Sequence, residues 1–256
     1  MPDPVVITRP LAQAAELERR VAALGRATVI FPLLDILPLS DPAPLQHAMR
    51  ALERYALVAF VSPNAIDAAF AARPDWPRGP AIAVMGEGSR QALARHGVTE
   101  AHAVIHSPRD PARTDSETLL QTLDLHALRG RRVLIVRGES GRELLGDALR
   151  AAGAQVETVA AYRRAAPAFD PARRRALLTL LRQGADWIVT SSEALRNLAA
   201  MASRLEEIDG VAKMQQQRLF VPHARIAETA RELGCVRIVQ SRPGDEGLLA
   251  ALQSCP

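Results

Sequence analysis

Short apolar runs alternate with amphipathic stretches along the whole chain. The runs at 5–8 ("VVIT"), 27–34, 55–62, 81–86, 131–138 ("RRVLIVRG"), 154–162, 185–191, 218–222 and 235–241 read as strands. Stretches with helical apolar spacing fill the gaps, at 11–25, 45–54, 63–72, 88–97, 114–123, 142–153, 170–184, 192–201, 225–234 and 244–253. Their ends carry the usual signals. Pro63 and Pro171 fall in first turns, Asp115 and Ser116 precede a helix, and Gly25 and Gly97 stop two others. The strands lack the polar alternation of a half-exposed sheet, so both of their faces are expected to be buried, as in a parallel sheet covered by helices. Strand and helix in strict alternation predict an α/β protein.

The pattern repeats. "ITRPLAQAAELERRVAALGRATVI" resembles "IVRGESGRELLGDALRAAGAQVET", which pairs Arg9 with Arg137 and Gly25 with Gly153. "LVAFVSPNAI" resembles "DWIVTSSEAL", pairing Ser62 with Ser191, and a third match pairs Gly97 with Gly234. The partners lie about half the chain apart, so two similar α/β units of three strand–turn–helix modules are expected. Two Pro-bearing stretches, 31–44 and 162–171, are candidate linkers. Ligands of open α/β sheets bind beyond the carboxyl ends of the strands, and the cleft between two such units is the default site.

Composition narrows the chemistry. The 256 residues are 48% hydrophobic and 23% charged, ordinary values for a globular protein. An aromatic share of 4% leaves little for base stacking. The net charge is +4 and the pI about 9.8, and Lys213 is the only lysine among the 32 Lys and Arg residues. A codon bias toward arginine accounts for this blandly; a polyanionic ligand accounts for it functionally, because the guanidinium fork matches carboxylates and phosphates. The arginines are scattered, which speaks against a nucleic-acid face. Cys235 and Cys255 form no metal or CxxC spacing and fit a cytoplasmic protein with free thiols. No signal peptide and no membrane span of about 20 apolar residues is expected.

No single motif names a reaction. "VRGESGRELL" lacks the lysine of a Walker loop, yet its turn and the helix start after it offer N–H groups to an anion, with Arg137 and Arg142 adding charge. A plain turn with solvated arginines is an equal reading. Gly86 and Gly88 are a fragment of a dinucleotide fingerprint whose third glycine position holds Gln91. Ser62, Ser191 and Ser192 sit at strand-to-helix junctions, where helix capping explains them and donation to a ligand carboxylate is open. A nucleophilic serine would want GxSxG and a partner His, and neither is present. The histidines have no metal spacing. His223 lies at a strand end, while His47, His96, His102, His106 and His126 read as surface or capping residues.

Taken in order, "ITRP", "FVSPNAI", "VMGEGS", "DSETLL", "VLIVRGESGRELL", "AYRR", "IVTSSEAL" and "VPHARIAETARELG" resemble the bacterial uroporphyrinogen-III synthase family along essentially the whole chain. The resemblance implies two flavodoxin-like, parallel-sheet α/β domains joined by a two-stranded connection, with the ligand cleft between them. One domain would be discontinuous, 1–33 with 165–256, the other would span 40–160, and 34–39 and 160–165 would be the connecting strands. The implied reaction is cyclisation of hydroxymethylbilane with inversion of ring D and loss of water, with no cofactor and no metal.

That substrate loses its hydroxyl readily and closes spontaneously to the unrearranged isomer I. Positioning would then be the main catalytic device, with closure at the substituted carbon of the last ring through a spiro intermediate. The resemblance implies Tyr162 as proton donor to the leaving hydroxyl. It implies substrate contacts at Thr8, Arg9, Ser62, Asn64, Gly86, Ser89, Arg137, Gly138, Arg142, Ser191, His223 and Arg225. Ser89 stands where many members have Thr, and "VPHARI" departs from the Ser/Thr-rich loop of many relatives. Hand-over from hydroxymethylbilane synthase is the protein contact implied, and a cytoplasmic monomer bound to neither nucleic acid nor membrane is the expected form. A non-catalytic two-domain binding module for an anionic tetrapyrrole is the alternative.

Overall fold

A computed structural model of the chain describes residues 3–108, 116–141 and 143–255. Its elements in chain order are β1 (Val5–Ile7), α1 (Ala15–Ala22), β2 (Thr28–Ile30), β3 (Asp35–Leu37), α2 (Ala43–Arg50), β4 (Leu57–Phe60), α3 (Pro63–Ala72), β5 (Ala81–Val84), α4 (Glu87–Arg95) and β6 (Ile105–His106). They continue with α5 (Ser116–Leu120), β7 (Arg132–Gly138), α6 (Leu144–Ala151), β8 (Gln155–Ala165), α7 (Pro171–Gln183), β9 (Asp186–Ile188) and α8 (Ser192–Ala202). The last are α9 (Gly210–Gln215), β10 (Arg218–Val221), α10 (Ala224–Glu232), β11 (Arg237–Gln240) and α11 (Gly244–Ser254). No helix among the described residues is long and apolar enough to cross a membrane.

The chain divides into two compact units, Met1–Asp35 with Ala165–Pro256, and Ile36–Arg164. Unit 1 holds a five-stranded sheet in the order β11-β10-β9-β1-β2, parallel throughout. Numbered within the unit this is the 2-1-3-4-5 order of flavodoxin-like sheets. Unit 2 holds a six-stranded sheet in the order β3-β8-β7-β4-β5-β6, and the five strands from β8 to β6 are parallel. Those five repeat the unit 1 arrangement once β7 and β8 are matched to β1 and β2, and β4, β5 and β6 to β9, β10 and β11. The sequence repeat makes the same matches for β7, β8, β4 and β5.

Both sheets are covered on both faces, which is why their strands show no polar alternation. In β1, Val6 joins the cluster built around Trp187, Leu195 and Leu219, while Val5 and Ile7 join the opposite one with Leu17 and Leu248. In β4, Val58 and Phe60 pack with Ile66 and Phe70, while Leu57 and Ala59 pack with Leu119 and Leu149. Residues that alternate in direction all find apolar cover, so the expected α/β architecture with parallel sheets is what forms.

The differences from the pattern reading are local. The helix expected at 11–25 breaks into a 3-10 turn at Leu11–Gln13 and α1, because Pro10 supplies no capping side chain and Gln13 and Ala14 bond back only three residues. The strand expected at 27–34 ends at Ile30, just before Pro32, which has no N–H for a ladder. β8 runs past Tyr162 to Ala165, and β6 and α9 were not anticipated at all. The helix expected from 114 is described from Ser116, and that expected from 142 starts at Leu144; Arg142 lies outside the described residues.

Candidate functional site

In unit 2 the candidate residues stand at the carboxyl ends of parallel strands. β4 ends at Phe60, and Ser62 caps α3: its Oγ accepts the Ala65 N–H at 3.2 Å, and Pro63 starts the helix. Asn64 lies in the same first turn. β5 ends at Val84, and Gly86 begins α4 with φ 147°, a conformation that favours glycine. Ser89 follows in the first turn of α4 and is buried.

β7 ends in Arg137 and Gly138. Gly138 lies level with Tyr162 of β8, at a one-residue shift in register. The Tyr162 hydroxyl is 3.1 Å from Ser62 Oγ, and the Glu139 N–H donates to the Tyr162 carbonyl oxygen at 2.8 Å. A Cβ on Gly138 would stand 3.0 Å from Tyr162 Cζ and 3.2 Å from its hydroxyl oxygen, so the ring occupies the space that the missing side chain leaves. Ser62, Gly138 and Tyr162, remote in sequence, thus form one cluster. The phenol is buried, and its ring belongs to the apolar cluster of Phe60 and Val136.

Arg137 is buried too, at 8% exposure, and is already paired. It donates to Glu143 Oε1 at 2.5 Å, within its own strand-to-helix turn. Gly141, with φ 158°, passes so close that a Cβ there would meet the guanidinium at 2.6 Å. The turn therefore wraps around Arg137. From β8, Arg164 donates to Ser140 Oγ at 3.2 Å and holds the same turn from its other side.

Unit 1 presents the matching strand ends. Thr8 follows β1, is buried, and spends its hydroxyl proton on the Ile188 carbonyl oxygen at 2.8 Å, which ties β1 to β9. Arg9 forms a two-pronged pair with Asp245, in the first turn of α11, at 2.5 and 3.2 Å. Ser191 caps α8, accepting the Ala194 N–H at 3.4 Å. His223 and Arg225 open α10, and Thr229 Oγ1 lies 3.0 Å from both Ser192 Oγ and the Arg225 carbonyl oxygen, joining the starts of α8 and α10. Partial burial first, then the neighbouring Arg225 charge, hold the His223 imidazole below its ordinary value.

The capping reading thus holds for Ser62 and Ser191, while Ser192 sits in the α8–α10 junction. Pattern reading missed Glu143, Asp245 and Arg164. Glu143 and Arg164 were visible only as charges beside the "RGESGR" turn and in "AYRR"; Asp245 carries no local signal, since it meets Arg9 across 236 positions.

Comparison with known proteins agrees with this arrangement of strands. The family described as uroporphyrinogen-III synthase HemD matches residues 15–250. The chain belongs to the uroporphyrinogen-III synthase family. The enzyme of that name from Escherichia coli K12 is 34% identical over 97% of this chain and 99% of its own length, and the one from Salmonella typhimurium LT2 is 34% identical over the same shares. Among solved structures, a mutant uroporphyrinogen III synthase from Thermus thermophilus has the same fold, with a TM-score of 0.61 at 18% identity, covering 98% of this chain and 96% of that one. The Helicobacter pylori protein gives 0.58 at 14% identity with both chains covered completely. Family membership makes the chain a cyclising enzyme of tetrapyrrole synthesis and turns attention to the cluster at the carboxyl edge of unit 2.

Proposed function

We propose that this chain cyclises hydroxymethylbilane to uroporphyrinogen III, inverting ring D and releasing water. The observation that carries the reading is the family match across residues 15–250, joined by relatives of that name at 34% identity over nearly the whole chain. Tyr162 is the proton donor. It gives its hydroxyl proton to the leaving oxygen, the carbon–oxygen bond breaks with its electrons going to that oxygen, and water departs. The substituted carbon of the last ring bonds to the exposed methylene carbon, which gives the spiro intermediate; its older bond to the neighbouring methylene bridge then breaks, and that bridge carbon bonds to the ring's free carbon, which inverts the ring. The proton shed after rearrangement returns to the phenolate.

The substrate is a polycarboxylate. In unit 2, Ser89, Asn64 and the backbone at Gly86 and Gly138 are proposed carboxylate contacts, with Ser62 engaged at the reacting end through Tyr162. In unit 1 they are Ser191, His223 and Arg225, whose placement at helix starts suits anions. Arg9 and Arg137, which spend guanidinium N–H groups on Asp245 and Glu143, serve through the donors left over or by exchanging those partners for substrate carboxylates, and Thr8, whose hydroxyl and backbone N–H both donate to the Ile188 carbonyl oxygen, only by giving up one of those bonds. Arg142 belongs to the same proposed set. The enzyme works as a cytoplasmic monomer, and the short life of its substrate favours direct supply by hydroxymethylbilane synthase.

The test is isomer-resolved turnover. Hydroxymethylbilane generated in the presence of the protein, then oxidised and separated, is expected to give mostly isomer III. Isomer I alone, at the uncatalysed rate, would leave a binding protein and not an enzyme.

A further inference from the structure

We propose that Ser62 is the positioning residue of Tyr162, and that Gly138 is glycine to leave room for the phenol at that hydroxyl. The inference rests on the reading of Tyr162 as proton donor. Ser62 Oγ already accepts the Ala65 N–H, so its own hydrogen remains to be given. Given to the phenol oxygen 3.1 Å away, it leaves the phenol hydrogen free for the leaving hydroxyl. Once that proton is transferred the phenol oxygen carries negative charge, and the bond from Ser62 becomes charge-assisted. The start of α3, whose N–H groups lie behind Ser62, adds favourable potential at the same place. The charge is thus met by a donor already in position when it forms.

The internal repeat supplies the control. Val5, Val6 and Ile7 pair with Thr28, Val29 and Ile30, just as Val133, Leu134 and Ile135 pair with Val156, Glu157 and Thr158. Counted along the repeat, with Arg9 matched to Arg137, Leu34 of unit 1 takes the position of Tyr162 and Pro10 that of Gly138. Ser191 caps α8 as Ser62 caps α3. The capping serine is therefore common to both units, while the phenol and the gap that admits it belong to unit 2 alone. Capping accounts for a serine in each unit, but not for a glycine and a tyrosine brought against only one of them.

The experiment measures kcat, KM and thermal unfolding for Ser62→Gly, Ser62→Ala, Ser62→Thr, Gly138→Ala and Tyr162→Phe. Asp170→Ala, which removes the cap of α7, is the control for lost capping alone. Glycine keeps most of the value of an N-cap, so Ser62→Gly separates the hydroxyl from helix stability. Ser62→Gly and Ser62→Ala are expected to lower kcat about 10–100-fold, reaching at most the lower end of what one preorganised oxyanion donor supplies, with KM within about twofold. Ser62→Thr restores the hydroxyl and most of kcat. Gly138→Ala pushes the ring from its place and lowers kcat in the same way, and Asp170→Ala lowers only the melting temperature. Wild-type kcat in Ser62→Gly, or a change confined to KM, overturns the positioning role while a crippled Tyr162→Phe leaves the proton-donor reading standing. Full activity in Tyr162→Phe removes the reading beneath it.

Discussion

His223 shows how far a single residue can be read. Its place after β10 follows from the apolar run that ends at Val221, and its depressed pKa follows from neighbours that only the fold supplies. Because the folded protein disfavours the imidazolium, the unfolded chain takes up the proton first as pH falls below about 6.5. This contribution to stability is therefore present at neutral pH and is lost as pH drops toward and through the folded value. Wild type is expected to lose more of its melting temperature between pH 7.5 and 5.5 than His223→Gln does; equal losses would mean that the histidine is not linked to folding. Arg137 is the contrary case. "VRGESGR" allows a clamp or a turn equally, and the choice depends on Glu143 and Gly141 closing around the guanidinium. Sequence places those residues near Arg137 but not in contact with it.

At the scale of elements, the central strands were legible because both of their faces are buried, and most helices because their caps are regular. What escaped was too short for periodicity, as with the two residues of β6, or set by chain geometry, as with the split at Pro10. Partnerships across strands were illegible for a physical reason. Parallel strands are joined by long crossovers, so residues that meet at their ends, such as Ser62 after β4 and Tyr162 in β8, are separated by 100 positions. The amino ends of the unit 1 strands carry such a partnership. Asp186, wholly buried, accepts from Arg26 at 2.6 Å and from Arg218 at 2.6 and 2.8 Å. Removing one member leaves buried charge without compensation, so Asp186→Ala is expected to cost about 3–5 kcal/mol. In a calorimetric scan that is a fall of roughly 6–20 °C in Tm. A fall under about 2 °C would show the three charges to be solvated in practice.

At the scale of the whole molecule, the sequence repeat and the structural units do not coincide. The first half of the repeat gives β1 and β2 to unit 1 and β4 and β5 to unit 2; the second half gives β7 and β8 to unit 2 and β9 and β10 to unit 1. A cut at the midpoint of the repeat would have severed both sheets. Self-similarity reports which modules are alike, whereas pairing between edges decides which of them share a sheet, and only the second sets the domains. The likeness of the units makes their differences informative, and the sharpest is the phenol at the carboxyl edge of unit 2, for which the sequence repeat offers Leu34 in unit 1. If that phenol protonates the leaving hydroxyl, Tyr162→Phe should retain its fold and its KM and form isomer III at least about 100-fold more slowly, the lower bound for a general acid. A Tyr162→Phe protein that forms isomer III at the wild-type rate would contradict the account.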